Sequence, residues 1–281
     1  MSNGARRRQQ SEVKRGVQAL LPFPYSPLVR PLTGRDLESC VALEDAAFCD
    51  SAHRCSRDKL KYRLTTCSEL SLGLFCTVVP SNAKGWEIDT LHTAHPVETG
   101  RRDGALSVLF AHIVATLSYD DVVTDAAIDY PRDYASKAAN GNNSNGEKPK
   151  VGHRHGGRTV CIHSLAVHPK LQGVGIGKHI VMSYMERIGK SGLGDRFALI
   201  CQGYLVNYYE RFGFEHLGPS EATFGGSSWH DMIFNIAAIP RQTVYLPPPP
   251  TDPAARSRER LKQIEDLKSK RNKLGKERVN E

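Results

Sequence analysis

Residues 161–181 read CIHSLAVHPKLQGVGIGKHIV, and the fold turns on this stretch. Residues 159–167 are apolar and β-branched enough to form a strand. His168-Pro169 and three glycines, Gly173, Gly175 and Gly177, then impose a turn, after which Ile176, Ile180, Val181, Tyr184, Met185 and Ile188 recur at helical spacing as far as Gly189. A strand that passes through Gln172, Gly175 and Gly177 into an amphipathic helix makes an anion cradle. The first turn of a helix leaves backbone N–H groups unpaired and carries positive partial charge, and glycine lets a phosphate approach the main chain. Glycines also serve ordinary turns, so the pattern alone leaves both readings open. A Walker loop needs Ser or Thr after Gly-Lys, and here Gly177-Lys178 is followed by His179; the Rossmann fingerprint does not fit either.

Outward from this stretch, helices and strands alternate. Residues 33–48 (TGRDLESCVALEDAAF) set Leu37, Val41, Ala42, Leu43 and Phe48 near helical spacing behind a capping Thr33, and Ser56 introduces a second helix over 57–66. Residues 70–79 and 106–117 read as strands, as does 197–202; 205–212 reads as a short helix, and a last β segment ends near Asn235. Interleaved in this way, the elements predict an α/β domain. Two insertions, about 80–104 and 135–158, interrupt it, and the second contains NGNNSNGEKPK, too polar to offset its ordering entropy. The division expected is a disordered basic tail over 1–27, a domain over 28–246, and a Pro-rich linker with a charged helix or tail over 247–281.

Of the net charge of +8, residues 1–20 carry five Lys/Arg against one Glu, and residues 254–281 carry ten Lys/Arg against five acids, which leaves the body at −1. A nucleic-acid-binding domain would carry its basic surface on the folded body, so nucleic acid is not the expected partner of the domain, and the partner of the C-terminal tail is left open. No apolar run approaches the ~20 residues of a membrane helix, and no apolar stretch follows the basic N-terminus as in a secretory signal; a cytoplasmic chain without a membrane partner is expected. The seven cysteines have no CxxC spacing and read as reduced thiols. His153 and His155 lie in a Gly-rich loop without a second ligand cluster, so no metal is expected.

The turn at 172–177 resembles the acetyl-CoA pyrophosphate loop, Q/R-x-x-G-x-G/A, of the GCN5-related N-acetyltransferase (GNAT) superfamily. Residues 31–48 resemble that family's first strand and helix, and Tyr208-Tyr209-Glu210-Arg211-Phe212-Gly213-Phe214 resembles its FYxxxGF segment. More narrowly, HSLAVHP, SELSLGLF (68–75) and LVNYYERFGFEHLGP (205–219) are similar to arylalkylamine N-acetyltransferases and their fungal relatives, polyamine acetylators among them. The resemblance spans about 28–236. It implies a mixed central sheet splayed at the acetyl-CoA strand with helices on both faces. It also implies direct transfer of an acetyl group from acetyl-CoA to the primary amine of a small molecule, without a covalent enzyme intermediate. A protein or peptide N-acetyltransferase and a non-catalytic acetyl-CoA-binding scaffold are the alternatives.

Carried onto this sequence, the resemblance assigns acetyl-CoA to Leu165, Ala166 and Val167 of the strand, to Gln172, Gly173, Val174, Gly175, Ile176, Gly177 and Lys178 of the turn, and to Tyr209. An alkylammonium with a pKa near ~10.4 must lose a proton before it attacks a thioester, and His163 stands where the family removes that proton. Cys161 stands where vertebrate relatives have a second histidine, on the same strand face as His163, and a neutral thiol is a poor substitute base. Tyr209 matches the tyrosine that protonates the departing thiolate, while Tyr208 points ~100° away on the helix. Leu70, Leu72, Phe75 and Trp229 are candidates to receive an aromatic amine, and Asp125, Asp129 and Asp133 to attract a polyamine.

Overall fold

The computed structural model describes residues 3–97, 102–139, 150–226 and 228–238, so the sequence reading of 247–281 and of most of NGNNSNGEKPK lies outside the described residues. Seven α-helices run through them: α1 (Asn3–Gln18), α2 (Leu37–Ala47), α3 (Arg57–Thr66), α4 (Asp125–Ile128), α5 (Tyr134–Ala139), α6 (Ile176–Ser191) and α7 (Val206–Glu210). Eight strands accompany them: β1 (Pro27–Pro31), β2 (Leu72–Val78), β3 (His95–Pro96), β4 (Leu106–Ser118), β5 (Thr159–Val167), β6 (Arg196–Cys201), β7 (Glu215–Pro219) and β8 (His230–Asn235). They form one mixed sheet in the order β1-β2-β4-β5-β6-β8-β7, with the short β3 on β4. Only β5 and β6 pair in parallel among the described strands.

Local chemistry fixes the helix ends. Before α2, the amide and hydroxyl of Thr33 donate to the Asp36 carboxylate at 2.8 and 3.0 Å, and Arg30 grips the same carboxylate with both guanidinium arms at 2.8 and 2.7 Å. Ser56 accepts from the Lys59 amide at the start of α3. Helix α6 opens on Gly175 and closes on Gly192, both left-handed (φ 92° and 71°), a conformation glycine adopts without steric cost. Its apolar stripe, the six residues from Ile176 to Ile188 expected from the spacing, is buried.

The sheet carries helices on both faces. Helices α1 and α6 share one core with Leu70, Leu72, Leu74, Phe110 and Phe197, whereas α2 and α3 cover the other face through Leu37, Leu43, Leu60 and Leu64. Beside the latter, α4 packs Ala127 and Ile128 onto Cys161 and Ala198.

One expectation about organisation is corrected. Residues 1–27 are not a disordered tail where they are described: α1 buries Val13 and Val17, and Leu21, Phe23 and Tyr25 continue into the core. An apolar residue every fourth position supplies the adhesive face that the basic composition conceals. The insertion after residue 80 is likewise packed. Trp86 lies edge-on to Phe23 at 5.1 Å, Thr90 donates to the Leu109 carbonyl at 2.6 Å, and β3 pairs with β4.

Candidate functional site

The sheet parts at its centre. β5 pairs with β6 only from Thr159 to Ile162, opposite Arg196 to Leu199. Beyond that point β5 follows β4 as far as Val167 opposite Ala111, while β6 follows β8 as far as Cys201 opposite His230. Residues 163–167 therefore present one backbone edge to the opening, and Leu165, Ala166 and Val167 lie along it. The gap leads to the glycine turn. Gln172 donates its side-chain amide to the Val167 carbonyl at 3.0 Å, Gly173 and Gly175 hold left-handed backbone (φ 77° and 92°), and Ile176, Gly177 and Lys178 begin α6. A Cβ on Gly177 would stand 2.9 Å from the Tyr208 hydroxyl, so that phenol sits directly over the first turn of α6.

His163 owes its direction to a bulge. Val114 lies opposite Ser164 and Ala115 opposite Ile162, which leaves His163 as the extra residue of β5. A bulge breaks the in-out alternation, so Cys161, His163 and Ser164 all face the α2–α4 side instead of alternating. Thr116, directly opposite Cys161, has its hydroxyl 2.8 Å from His163 Nε2. The other ring nitrogen, Nδ1, is shielded from solvent and has no hydrogen-bond partner among the described residues. Burial first, and then the charges of Arg63 and Lys59, hold the imidazole well below its ordinary pKa, so the ring is neutral and able to accept a proton. Burial, followed by Asp120, pushes the Cys161 thiol up to about 12, which keeps it protonated.

A buried polar seam, missed by the sequence reading, runs beside this face. Arg63 is only 1% exposed; it donates to Cys55 Sγ at 3.0 Å and to the Ile128 carbonyl at 2.7 Å, and its Nε has no partner among the described residues. Glu44 accepts from the Cys55 amide at 2.9 Å, stands 2.9 Å from His112 Nε2, and accepts a very short hydrogen bond from Ser164. Cys55 thus joins the buried cation to the buried anion, and the chain of contacts ends one residue from His163. Lys59 completes the local charge, 4.7 Å over the Phe224 ring.

Of the tyrosine pair, Tyr209 is buried beside Phe214, and Tyr208 is the more exposed and stands edge-on to it at 5.2 Å. Burial raises the Tyr209 phenol far above its ordinary value and the Tyr208 phenol to about 12, so both are neutral.

The acceptor-side residues divide. Leu70 and Leu72 are in the core against α6, with Tyr184 donating to the Leu70 carbonyl at 2.8 Å; the alternation of β2 sends Leu72, Leu74 and Cys76 to the face opposite His163, so these two leucines do not line the site. Phe75 faces the α2 side but is buried beneath the Arg30 guanidinium at 3.7 Å, two strands away from β5. Asp125 spends its carboxylate on the Thr223 amide and hydroxyl and the Phe224 amide, and Asp129 pairs with Arg132 at 3.1 Å. Trp229 donates to the Phe224 carbonyl and meets His53 edge-on at 5.1 Å, in an aromatic group beside Lys59. His153 is a structural pin: Nδ1 accepts the Leu117 amide and its own amide donates to Tyr62. Among the described residues no cluster of three or more His, Cys, Asp or Glu is placed to hold a metal ion, and no helix is long and apolar enough to cross a membrane.

This architecture defines a class: an α/β protein whose mixed sheet opens at its centre onto a glycine-built helix N-terminus, with a neutral imidazole and neutral phenols near the opening. A family model described as an acetyltransferase (GNAT) domain matches residues 146–236. The serotonin N-acetyltransferase of Mesocricetus auratus is 27% identical over 219 residues, covering 77% of this chain and 81% of its own length, and that of Macaca mulatta is 27% identical over 213 residues, covering 75% and 79%. A solved structure, the loading GNATL domain of CurA from Lyngbya majuscula, aligns with 76% of this chain and 99% of its own at 10% identity and a TM-score of 0.48. Residues 146–236 thus match a GNAT acetyltransferase domain, and the likeness of most of the chain to serotonin N-acetyltransferases supports an N-acetyltransferase enzyme class.

Proposed function

We propose that this chain transfers the acetyl group of acetyl-CoA directly to the primary amine of an arylalkylamine. The observation that carries the reading is the parting of β5 from β6 over the glycine turn. It leaves a strand edge for the pantetheine amides and a glycine-built helix N-terminus for the pyrophosphate. His163 takes the amine's proton, with Thr116 holding the ring through Nε2. The amine lone pair then attacks the thioester carbonyl, the tetrahedral adduct collapses, and Tyr209 donates to the departing thiolate. Each group starts neutral: the proton taken from the ammonium passes from His163 to solvent, and the proton that the adduct's nitrogen loses on collapse restores the Tyr209 phenol.

The likeness to two serotonin N-acetyltransferases over most of their length favours an arylalkylamine. A polyamine has weaker support. Of the three carboxylates expected to attract it, Asp125 is engaged by Thr223 and Phe224 and Asp129 by Arg132, while Arg63 and Lys59 act on the His163 side. The test is a panel of serotonin, tryptamine, phenethylamine, spermidine and a short peptide with acetyl-CoA, reading thiol release. Faster turnover of spermidine or of the peptide than of every arylalkylamine overturns the assignment.

A further inference from the structure

The basic N-terminal segment and the glycine turn meet. Helix α1 lies with Val13 and Gly16 against the turn: a Cβ on Gly175 would stand 2.8 Å from Val13 Cγ2, and one on Gly16 would stand 3.5 Å from Val174 Cβ. Val13 and Val17 are buried in the core that α6 shares, so the contact is fixed by packing. Lys14 and Arg15, between these two contact residues on the same helical turn, are exposed. In sequence, residues 3–18 hold five Lys/Arg (Arg6, Arg7, Arg8, Lys14, Arg15) against a single acid, Glu12. The turn itself is poor in charge. Lys178 is its one cation, and the amide of Gln172 is committed to the Val167 carbonyl.

We propose that α1 is part of the co-substrate site: docked on the turn through Val13 and Gly16, it supplies through Lys14 and Arg15 the positive charge that meets the phosphate groups of coenzyme A. The inference rests on the acetyl-CoA reading above. Its physical basis is charge complementarity at short range. A pyrophosphate and a ribose phosphate bring several negative charges to a turn that offers backbone dipoles and one lysine, and long exposed basic side chains can wrap around α1 toward them while their helix stays anchored. Charges within a Debye length of ~10 Å add to affinity and lose effect as salt rises.

The test is calorimetric titration of coenzyme A into the full chain, wild type against the double variant Lys14→Glu/Arg15→Glu, at low salt and at ~1 M salt. Both positions are exposed, so the fold has no need of either side chain. The expected result is a Kd raised about tenfold or more at low salt, with the gap narrowing at high salt. A parallel measurement of kcat/KM with acetyl-pantetheine, which lacks the phosphates, is expected to show no such loss. Equal coenzyme A affinity in both proteins overturns the inference and leaves the transferase reading intact. Tighter binding by the variant overturns it in favour of an obstructing helix. A loss that persists at high salt and extends to acetyl-pantetheine overturns it as a general perturbation. Failure of the wild type to bind coenzyme A overturns both readings.

Discussion

The hydroxyl of Thr116 and Nε2 of His163 stand 2.8 Å apart across the β4–β5 ladder, at the point where β5 carries its extra residue. This contact fixes the ring. In the proposed reaction Nε2–H donates to Thr116, and Nδ1, buried and without a partner among the described residues of the free chain, is the nitrogen that an amine entering the site would have to reach. Removing the ring should lower kcat/KM by about 10²-fold, as general-base losses do. Thr116→Val should cost about tenfold by freeing the tautomer, and Thr116→Ser should restore most of it. Steady-state kinetics of the three variants check this; a silent Thr116→Val shows that the hydroxyl does not set the ring.

A second expectation concerns pH. Burial, Arg63 and Lys59 all depress the His163 pKa. The groups around this face are Arg63 and Lys59 from α3, Cys55 before it, Glu44 from α2, His112 and Thr116 from β4, Asp120 after it, Asp125 and Asp129 from α4, and Cys161 beside it on β5. With its pKa held below the ordinary 6.5, the base remains competent at pH 6, and no acid limb from the imidazole falls near neutrality. Lys59→Met keeps the aliphatic stem and removes one depressing charge, so the limb should move upward toward pH 6.5. The pH profile of kcat/KM with an amine in excess reads this directly. An unmoved limb would mean that Lys59 does not act on the base.

His153 gives a stability prediction. Burial, and then His155, lower its pKa from 6.5 to about 4, and its unprotonated Nδ1 accepts the Leu117 amide. The folded pKa lies below the unfolded one, so the unfolded chain binds the proton first as pH falls. The contribution is complete above pH 6.5 and is lost progressively down to about 4, for a total of about 3 kcal/mol at ~1.4 kcal/mol per unit. His153→Asn retains an acceptor that does not titrate there and should flatten the fall in denaturation midpoint over this window. Parallel curves for the two proteins would refute the assignment.

What the sequence made legible was periodicity. The stripe of α6, the Ser56 cap and the strand ending at Val167 each show in a single element's own residues. The bulge at His163 does not, because it exists only in the pairing of β5 with β4, and Thr116 enters the site by that register alone. Leu70, Leu72 and Phe75 were misplaced for a related reason: alternation along SELSLGLF separates two faces without saying which of them lies under α6. Arg63 did leave a trace. It stands three residues after Leu60 and next to Leu64, an inward position of α3 where an arginine has no solvent to face. Helix α1 left one as well, in the fourfold spacing of Val13, Val17 and Leu21, hidden among arginines and glutamines.

The tyrosine pair offers the sharpest division. The Tyr208 hydroxyl lies over Gly177 at the cradle, and Tyr209 is buried beside Phe214. If each acts where it stands, Tyr208→Phe should raise the KM for acetyl-CoA a few-fold with kcat kept, because it touches bound phosphate or pantetheine alike in ground and transition states. Tyr209→Phe should instead lower kcat by about 10- to 100-fold with little change in either KM, because a hydrogen bond to the leaving sulfur matters only as the C–S bond breaks. Burial raises the Tyr209 pKa well above 10, so the phenol keeps its proton through alkaline pH, and kcat should show no fall on the basic side up to pH 10. Gly177→Ala provides a steric control. Its methyl would meet the Tyr208 hydroxyl at 2.9 Å and push the ring aside, so its effect on acetyl-CoA KM should shrink when Tyr208 is already Phe. Fitted kcat and KM for the four variants decide the matter. A crippling loss of kcat in Tyr208→Phe beside a silent Tyr209→Phe would exchange the two roles.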